Sequence, residues 1–356
     1  MHSITFGRAA PGLRRLLFAC FAAAALAVPA AAAPLTPQQR KEVVEDVAAK
    51  FAERYVFEDR AKRIAAHLRQ RARQGAFDAA GDTDALAARL SAEIRAVDPD
   101  RHIEVVAPAA ASPQPTAAAP PADRFGWLER LRRRNYDFAK VERMPGAVGY
   151  LDLRSFPPPE VAGETARAAM RLLDHSDAII VDLRKNGGGT GDMVQMLASY
   201  FFIERTALGK TFRRADDSQV TMLYTLTELE GERMPAADLF ILVGPETFSA
   251  AESFAFGLQQ RGRATIVGAA TKGGANAGRY VTIVHGFRAF IPVAHASEPY
   301  GEKSWDGTGI TPDIVTPEAD ALDRAYKEAL TRLIARARTP DDKAALEKLL
   351  AESVRR

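Results

Sequence analysis

Twice in this chain a short apolar run gives way, across a tight turn, to a helix. "DAIIVDLR" reads as a buried strand; the glycines Gly187 to Gly189 follow it, and "GDMVQMLASYFF" reads as the helix beyond. "DLFILVG" is the second such strand, and the next stretch places Ala251, Phe254, Ala255 and Leu258 at helical spacing. "AVGYLDLRSF" reads as a further strand and "PEVAGETARAAMRLLDH" as a further helix, with more strands at "SQVTMLYTL", "ATIVG", "GRYVTIV" and "FRAFIPV". Strands alternating with helices predict an α/β body, residues 125–316, around a largely parallel sheet. One long helix and a second beginning at "TPDD" complete the sequence, over residues 317–356.

The front of the chain is different. Val43, Val44, Val47, Phe51 and Tyr55 form one apolar stripe, Ile64, Ala65 and Leu68 a second, and Leu86, Leu90, Ile94 and Val97 a third. Residues 34–106 therefore read as an N-terminal helical bundle that closes at "VDPDRHIEVV" and enters a short strand. "APAAASPQPTAAAPPAD" follows, a Pro/Ala-rich linker over 107–124 with no means of burying itself.

Residues 1–33 carry Arg8, Arg14 and Arg15, an apolar core "LLFACFAAAALAV" and small residues at "PAAAAP", which predicts a signal peptide cut after Ala32 and a periplasmic or secreted protein. Its removal leaves 45 basic and 45 acidic residues, so the basic pI gives no reason to expect nucleic acid. Cys20, the only cysteine, leaves with it. No later run has the length of a membrane span, so stable insertion is not expected.

Three stretches carry candidate chemistry. Ser249 sits between strand and helix in "TFSAAE", and with Glu252 three residues on it fits a capping box. The same helix start gathers free N–H groups that suit an oxyanion, so cap and nucleophile both remain open. The glycine turn can aim N–H groups at developing negative charge, or can simply be a tight turn. His102 stands in the acid-rich turn "DPDRH", where Asp98 or Asp100 can hold it in place. No His/Cys cluster has metal-ligand spacing, and no cofactor is predicted.

In this order, "GYLDLRSF", "DLRKNGGG", "TFSAAE", "IVGAATKGGANAG" and "SWDGTGITPD" resemble the tail-specific (C-terminal-processing) serine peptidase superfamily. The closest branch is that of the tricorn core protease and the interphotoreceptor retinoid-binding protein. The resemblance spans residues 36–330 and shows no PDZ domain. It implies a crotonase-like (ClpP/crotonase-type) body, a peptide or protein substrate, Ser249 as nucleophile and His102 as base. It further implies Asp306 as the completing acid, with Gly188 and Ala250 N–H groups as the oxyanion hole.

This sequence departs from the pattern in places. The lysine of the Ser-Lys branch falls at Gly274, with Lys272 two residues short; Asn276 stands where retinoid-binding relatives carry a histidine; and Arg101 replaces a small polar residue. The leading expectation is an exported serine peptidase. The rivals are a binding module for apolar ligands on the same fold and a structural protein. Oligomeric state is not legible.

Overall fold

The computed structural model describes residues 35–108, 122–214 and 219–354. The expected signal peptide, and the linker from 109 to 121, lie outside these residues. Helices α1 (Pro37–Arg54), α2 (Glu58–Arg73) and α3 (Thr83–Val97) form where the three stripes predict them. Local chemistry sets their starts. Thr36 and Gln39 close a capping box on α1, and Asp82 accepts from the Ala85 N–H to cap α3.

These helices do not close a core of their own. Val43, Val47, Phe51, Ile64, Leu68 and Leu90 pack in one cluster with Val281, Phe287, Ala289 and Ile291 of the body. Strand β1 (Glu104–Val106) then joins a body sheet, pairing antiparallel with β10 (Arg288–Ser297), Glu104 opposite Phe290. Two independent features thus hold the His102 turn against the body: a shared apolar core and a strand ladder.

The body contains two sheets. The first has six strands: β2 (Phe138–Met144), β3 (Val148–Leu153), β4 (Ala178–Asp182), β7 (Asp238–Val243), β8 (Ala264–Gly268) and β11 (Ile314–Val315). Their spatial order is β11-β8-β7-β4-β3-β2, and all neighbours are parallel except β2 with β3. Every residue of β4 is buried because both faces are covered. Ile179, Val181, Ile241 and Val243 face helices α5 (Pro159–Leu173), α6 (Gly191–Ser199) and α7 (Ala250–Gln260). Ile180, Phe240 and Leu242 face Ala321, Ala325, Ala329 and Leu333 of α8 (Ala321–Ala335). Each of the Ile, Val, Leu and Phe side chains among these contributes about 1.5–3 kcal/mol by burial. Helix α9 (Pro340–Val354) packs against α8.

The second sheet is antiparallel, which corrects the expectation of one largely parallel sheet. It runs β1-β10-β5-β6 with β9 (Asn276–Thr282) on the other side of β10; β5 is Ala207–Arg213 and β6 is Val220–Tyr224. Strands β2 and β5 lack the apolar pattern that announces a strand: "FAKVERM" is largely exposed and "ALGKTFR" carries glycine and lysine. Helix α4 (Ala122–Arg133) begins inside the 107–124 segment read as linker. Among the described residues no helix is long and apolar enough to cross a membrane. The mixed α/β body is the ClpP/crotonase-like fold.

Candidate active site

Ser249 stands between β7 and α7 on a turn fixed from below. Thr247 is fully buried; its hydroxyl donates to the Leu183 carbonyl at 2.8 Å and accepts from the Gly244 N–H at 2.9 Å. The Phe248 N–H donates to the Asn186 carbonyl at 3.0 Å. Ser249 then adopts φ 56° and ψ −118°. An ordinary helix cap is extended; these angles belong to a turn position that favours glycine, and a serine there carries roughly 1–3 kcal/mol of strain. Strain of this size persists only where neighbours over-determine it.

Glu252 is that determinant. It is fully buried. Its Oε2 accepts from the Ser249 N–H at 2.8 Å and the Gly274 N–H at 2.9 Å, while Oε1 accepts from the Gly273 N–H at 2.7 Å and the Thr271 hydroxyl at 2.5 Å. Burial raises its carboxyl above the usual range, and these four donors only partly offset that. The capping-box spacing legible in the sequence therefore builds a junction between the serine turn and the 271–274 turn.

The glycine run packs against the same turn. Asn186, fully buried, donates from Nδ2 to the Leu153 carbonyl at 2.9 Å and accepts the Gly188 N–H on Oδ1 at 2.9 Å. Gly188 has φ 108°, and a Cβ there would lie 2.9 Å from Ser249 Cβ and 3.1 Å from the Ala250 nitrogen. Only glycine fits. Gly188 and Ala250 are thus brought to Ser249, and the Gly188 amide is already engaged by Asn186.

His102 reaches this site from the helical front. Its ring stacks on Phe248 at 4.2 Å between centroids and 29° between planes, with Phe290 at 5.9 Å on a similar tilt. Its side chain is 8% exposed, and neither ring nitrogen has a hydrogen-bond partner. Its backbone N–H donates to Asp100 Oδ1 at 2.9 Å, and the same oxygen lies 3.6 Å from Nδ1, a close contact too long for a hydrogen bond.

The empty lysine position has a steric explanation. A Cβ at Gly274 would sit 2.1 Å from the Phe248 ring and 2.6 Å from His102 Cε1, so these two rings occupy the room a side chain at 274 needs. Lys272 lies 4.6 Å from the centroid of the Phe248 ring and is itself exposed.

Asp306 makes neither a hydrogen bond nor an ion pair with the His102 ring. Its Oδ1 accepts from the Ala275 N–H at 3.2 Å and its Oδ2 from Asn276 Nδ2 at 2.9 Å. The same Nδ2 donates to Asp100 Oδ2 at 2.9 Å, while Asn276 Oδ1 meets His295 Nδ1 at 2.6 Å. Behind them the single Tyr55 hydroxyl proton is shared between Asp98 at 3.0 Å and Asp100 at 3.3 Å. Burial, and then the charge of Asp100, raise the Asp306 carboxyl. Burial also works to raise Asp100, but the His102 ring, its amide and Asn276 outweigh it and hold that carboxyl low. Burial lowers His295, and burial with both aspartates raises Tyr55.

Sequence reasoning singled out Ser249, His102 and the glycine run; it missed that Asn276 joins Asp100 to Asp306, and that Glu252 does more than cap. Neither has a local signal, because each acts across more than 20 residues of sequence. Among the described residues no His/Cys/Asp/Glu group is arranged to hold a metal.

Residues 147–316 match the model of peptidase family S41, and residues 22–125 match that of the N-terminal domain of this peptidase in eukaryotic IRBP. Among solved structures, a lipoprotein from Streptococcus agalactiae superposes with a TM-score of 0.56 at 16% identity, over 84% of this chain and 98% of its own. The tricorn protease gives a TM-score of 0.52 at 14% identity, over 88% of this chain and 37% of its own. The photosystem II D1 C-terminal processing protease gives 0.41 at 24% identity, over 48% of this chain and 43% of its own. The chain therefore spans less than half the length of the last two.

Proposed function

The chain belongs to peptidase family S41, and we propose that it hydrolyses peptide bonds with Ser249 as nucleophile and His102 as general base. The observation that carries this reading is the stack of His102 on Phe248, the residue next to a Ser249 held in a strained, helix-capping turn. Ser249 Oγ attacks the substrate carbonyl and His102 takes its proton, returning it to the leaving amine; water then releases the acyl group by the same route. The tetrahedral oxyanion is stabilised by the Ala250 N–H at the start of α7 and by Gly188, whose amide shares or exchanges its bond to Asn186. Asp306 joins the site through Asn276, whose Nδ2 it shares with Asp100. A lysine at 274 has no place, because Gly274 cannot carry a side chain without displacing both rings.

Export belongs to the same proposal and rests on residues 1–33. Intact mass of protein recovered from the periplasm is expected to start near Ala33; full-length chain retaining Cys20 in a membrane fraction contradicts it.

A second reading has one observation in its favour. The aromatic wall of Phe248, Phe290 and exposed Tyr280 is what a carrier of apolar ligands would present. Incubation with unstructured peptides separates the two. Mass spectrometry is expected to find new termini with the native protein and none with Ser249→Ala. Saturable retinol or fatty-acid binding with no cleavage by either protein supports the carrier.

A further inference from the structure

Two acids lie near His102, and the structure gives them unequal access to it. Asp306 accepts one bond on each oxygen, from the Ala275 N–H and from Asn276, and makes no ion pair with the His102 ring. Asp100 is placed differently. Its side chain is completely enclosed, its Oδ2 is taken by Asn276 and Tyr55, and its Oδ1 accepts one backbone N–H while facing the imidazole at 3.6 Å. A carboxylate oxygen has two lone pairs, so Oδ1 retains one for Nδ1. The geometry points to Asp100 as the residue that positions the His102 imidazole and balances its charge, with Asp306 acting on it only through Asn276. This rests on the reading of Ser249 and His102 as the reacting pair.

Three physical features support the assignment. By accepting the His102 amide, Asp100 fixes the turn that delivers the ring; by facing Nδ1, it leaves Nε2 for the serine. The stacking rings restrict the imidazole to one plane, so a small rotation within that plane closes the 3.6 Å contact. Finally, the two acids are driven apart: burial and the charge of Asp100 push Asp306 up, while the His102 ring, its amide and Asn276 outweigh burial and hold Asp100 down. The acid held low is the one beside the ring.

The other charged groups around the ring are more remote. Asp98 lies behind Asp100 and meets Arg60 at 3.5 Å. His295 stands beyond Asn276, Lys272 beyond Phe248, and Glu252 beneath Ser249.

The test is kcat/KM against pH for the native protein, Asp100→Asn and Asp306→Asn, with Ser249→Ala alongside and thermal unfolding of each. Activity requires a neutral imidazole, so it falls on the acid side. Removing the adjacent negative charge disfavours the imidazolium and moves that limb to lower pH. For Asp100→Asn the expected shift is about one pH unit, with kcat down on the order of 10²-fold. Asp306→Asn is expected to move the limb less than half as far. An equal or larger shift in Asp306→Asn, or a folded Asp100→Asn with native kcat and an unmoved limb, overturns the assignment. Should Asp100→Asn fail to fold, Asp100→Glu keeps the charge and is expected to retain the native limb with lower kcat; a displaced limb overturns the assignment, and the Asp306→Asn arm still decides. Activity surviving in Ser249→Ala sinks the catalytic reading itself, a failure distinct from either result with the aspartates.

Discussion

The turn that carries Ser249 and the turn that carries His102 are built by opposite means. Around Ser249 the backbone is tied from several sides: Thr247 and Asn186 from below, Glu252 from behind, and Gly188 against the Cβ. Its strained angles are maintained because no local relaxation is available. Around His102 only the backbone and the ring faces are held; both ring nitrogens lack a hydrogen-bond partner. A nucleophile has to be placed, whereas a base has to be free to take and return a proton. The difference teaches that rigidity here is spent on the serine, and that the histidine is confined to a plane with its nitrogens left available.

Substitutions that separate cap from nucleophile have the largest expected effect. Ser249→Ala removes the hydroxyl, whereas Ser249→Asn or Asp retains a good capping group. All three are expected to lose peptidase activity, on the order of 10⁶-fold in kcat, as for a nucleophile acting within a unit. Retained cleavage by the Asn variant makes Ser249 a cap and erases the contrast between the two turns.

His102→Ala comes next. Loss of a general base costs about 10²–10⁴-fold in kcat, read from steady-state hydrolysis, and should abolish the acid-side fall of the native profile. A native rate in this variant breaks the comparison from the other side, since the confined ring would then be mere packing.

Gly274→Lys sharpens it. The new side chain starts inside the space of Phe248 and His102, so it is expected to destabilise by roughly 1–3 kcal/mol in thermal or denaturant unfolding. Added to His102→Ala, it is expected to restore no activity; substantial rescue would show that this site accepts a lysine base. Lys272→Ala has the smallest expected effect. It removes one exposed cation from the Phe248 ring and should change kcat/KM by less than about threefold. A loss as deep as that of Ser249→Ala moves the base to Lys272.

The same contrast governs which parts of the site the sequence reveals. The serine turn was legible because its parts are local: an apolar strand, a capping spacing and a helix, with the glycine run one strand away. His102 was found from family likeness, since a D-x-H turn has no signal of its own. The network behind it was not legible. Asn276 joins Asp100 to Asp306; the pairing of β1 and β9 with β10 brings Asp100 to Asn276, and the bond from the Gly307 N–H to the Gly273 carbonyl brings in the segment of Asp306. The antiparallel sheet escaped for a related reason, because β5 carries lysine and glycine without an alternating apolar pattern and is held by its partners rather than by its own sequence.

The central claim is that a half-buried serine hydroxyl on an over-determined turn is activated by a histidine delivered from the helical front. Covalent labelling by a serine-reactive phosphonate tests it most directly, with peptide mapping of the adduct and with Ser249→Ala and His102→Ala treated in parallel. The account predicts a single adduct on Ser249, formed slowly in His102→Ala and absent in Ser249→Ala. No adduct on the folded native protein, or equal labelling of Ser249 with and without His102, contradicts it.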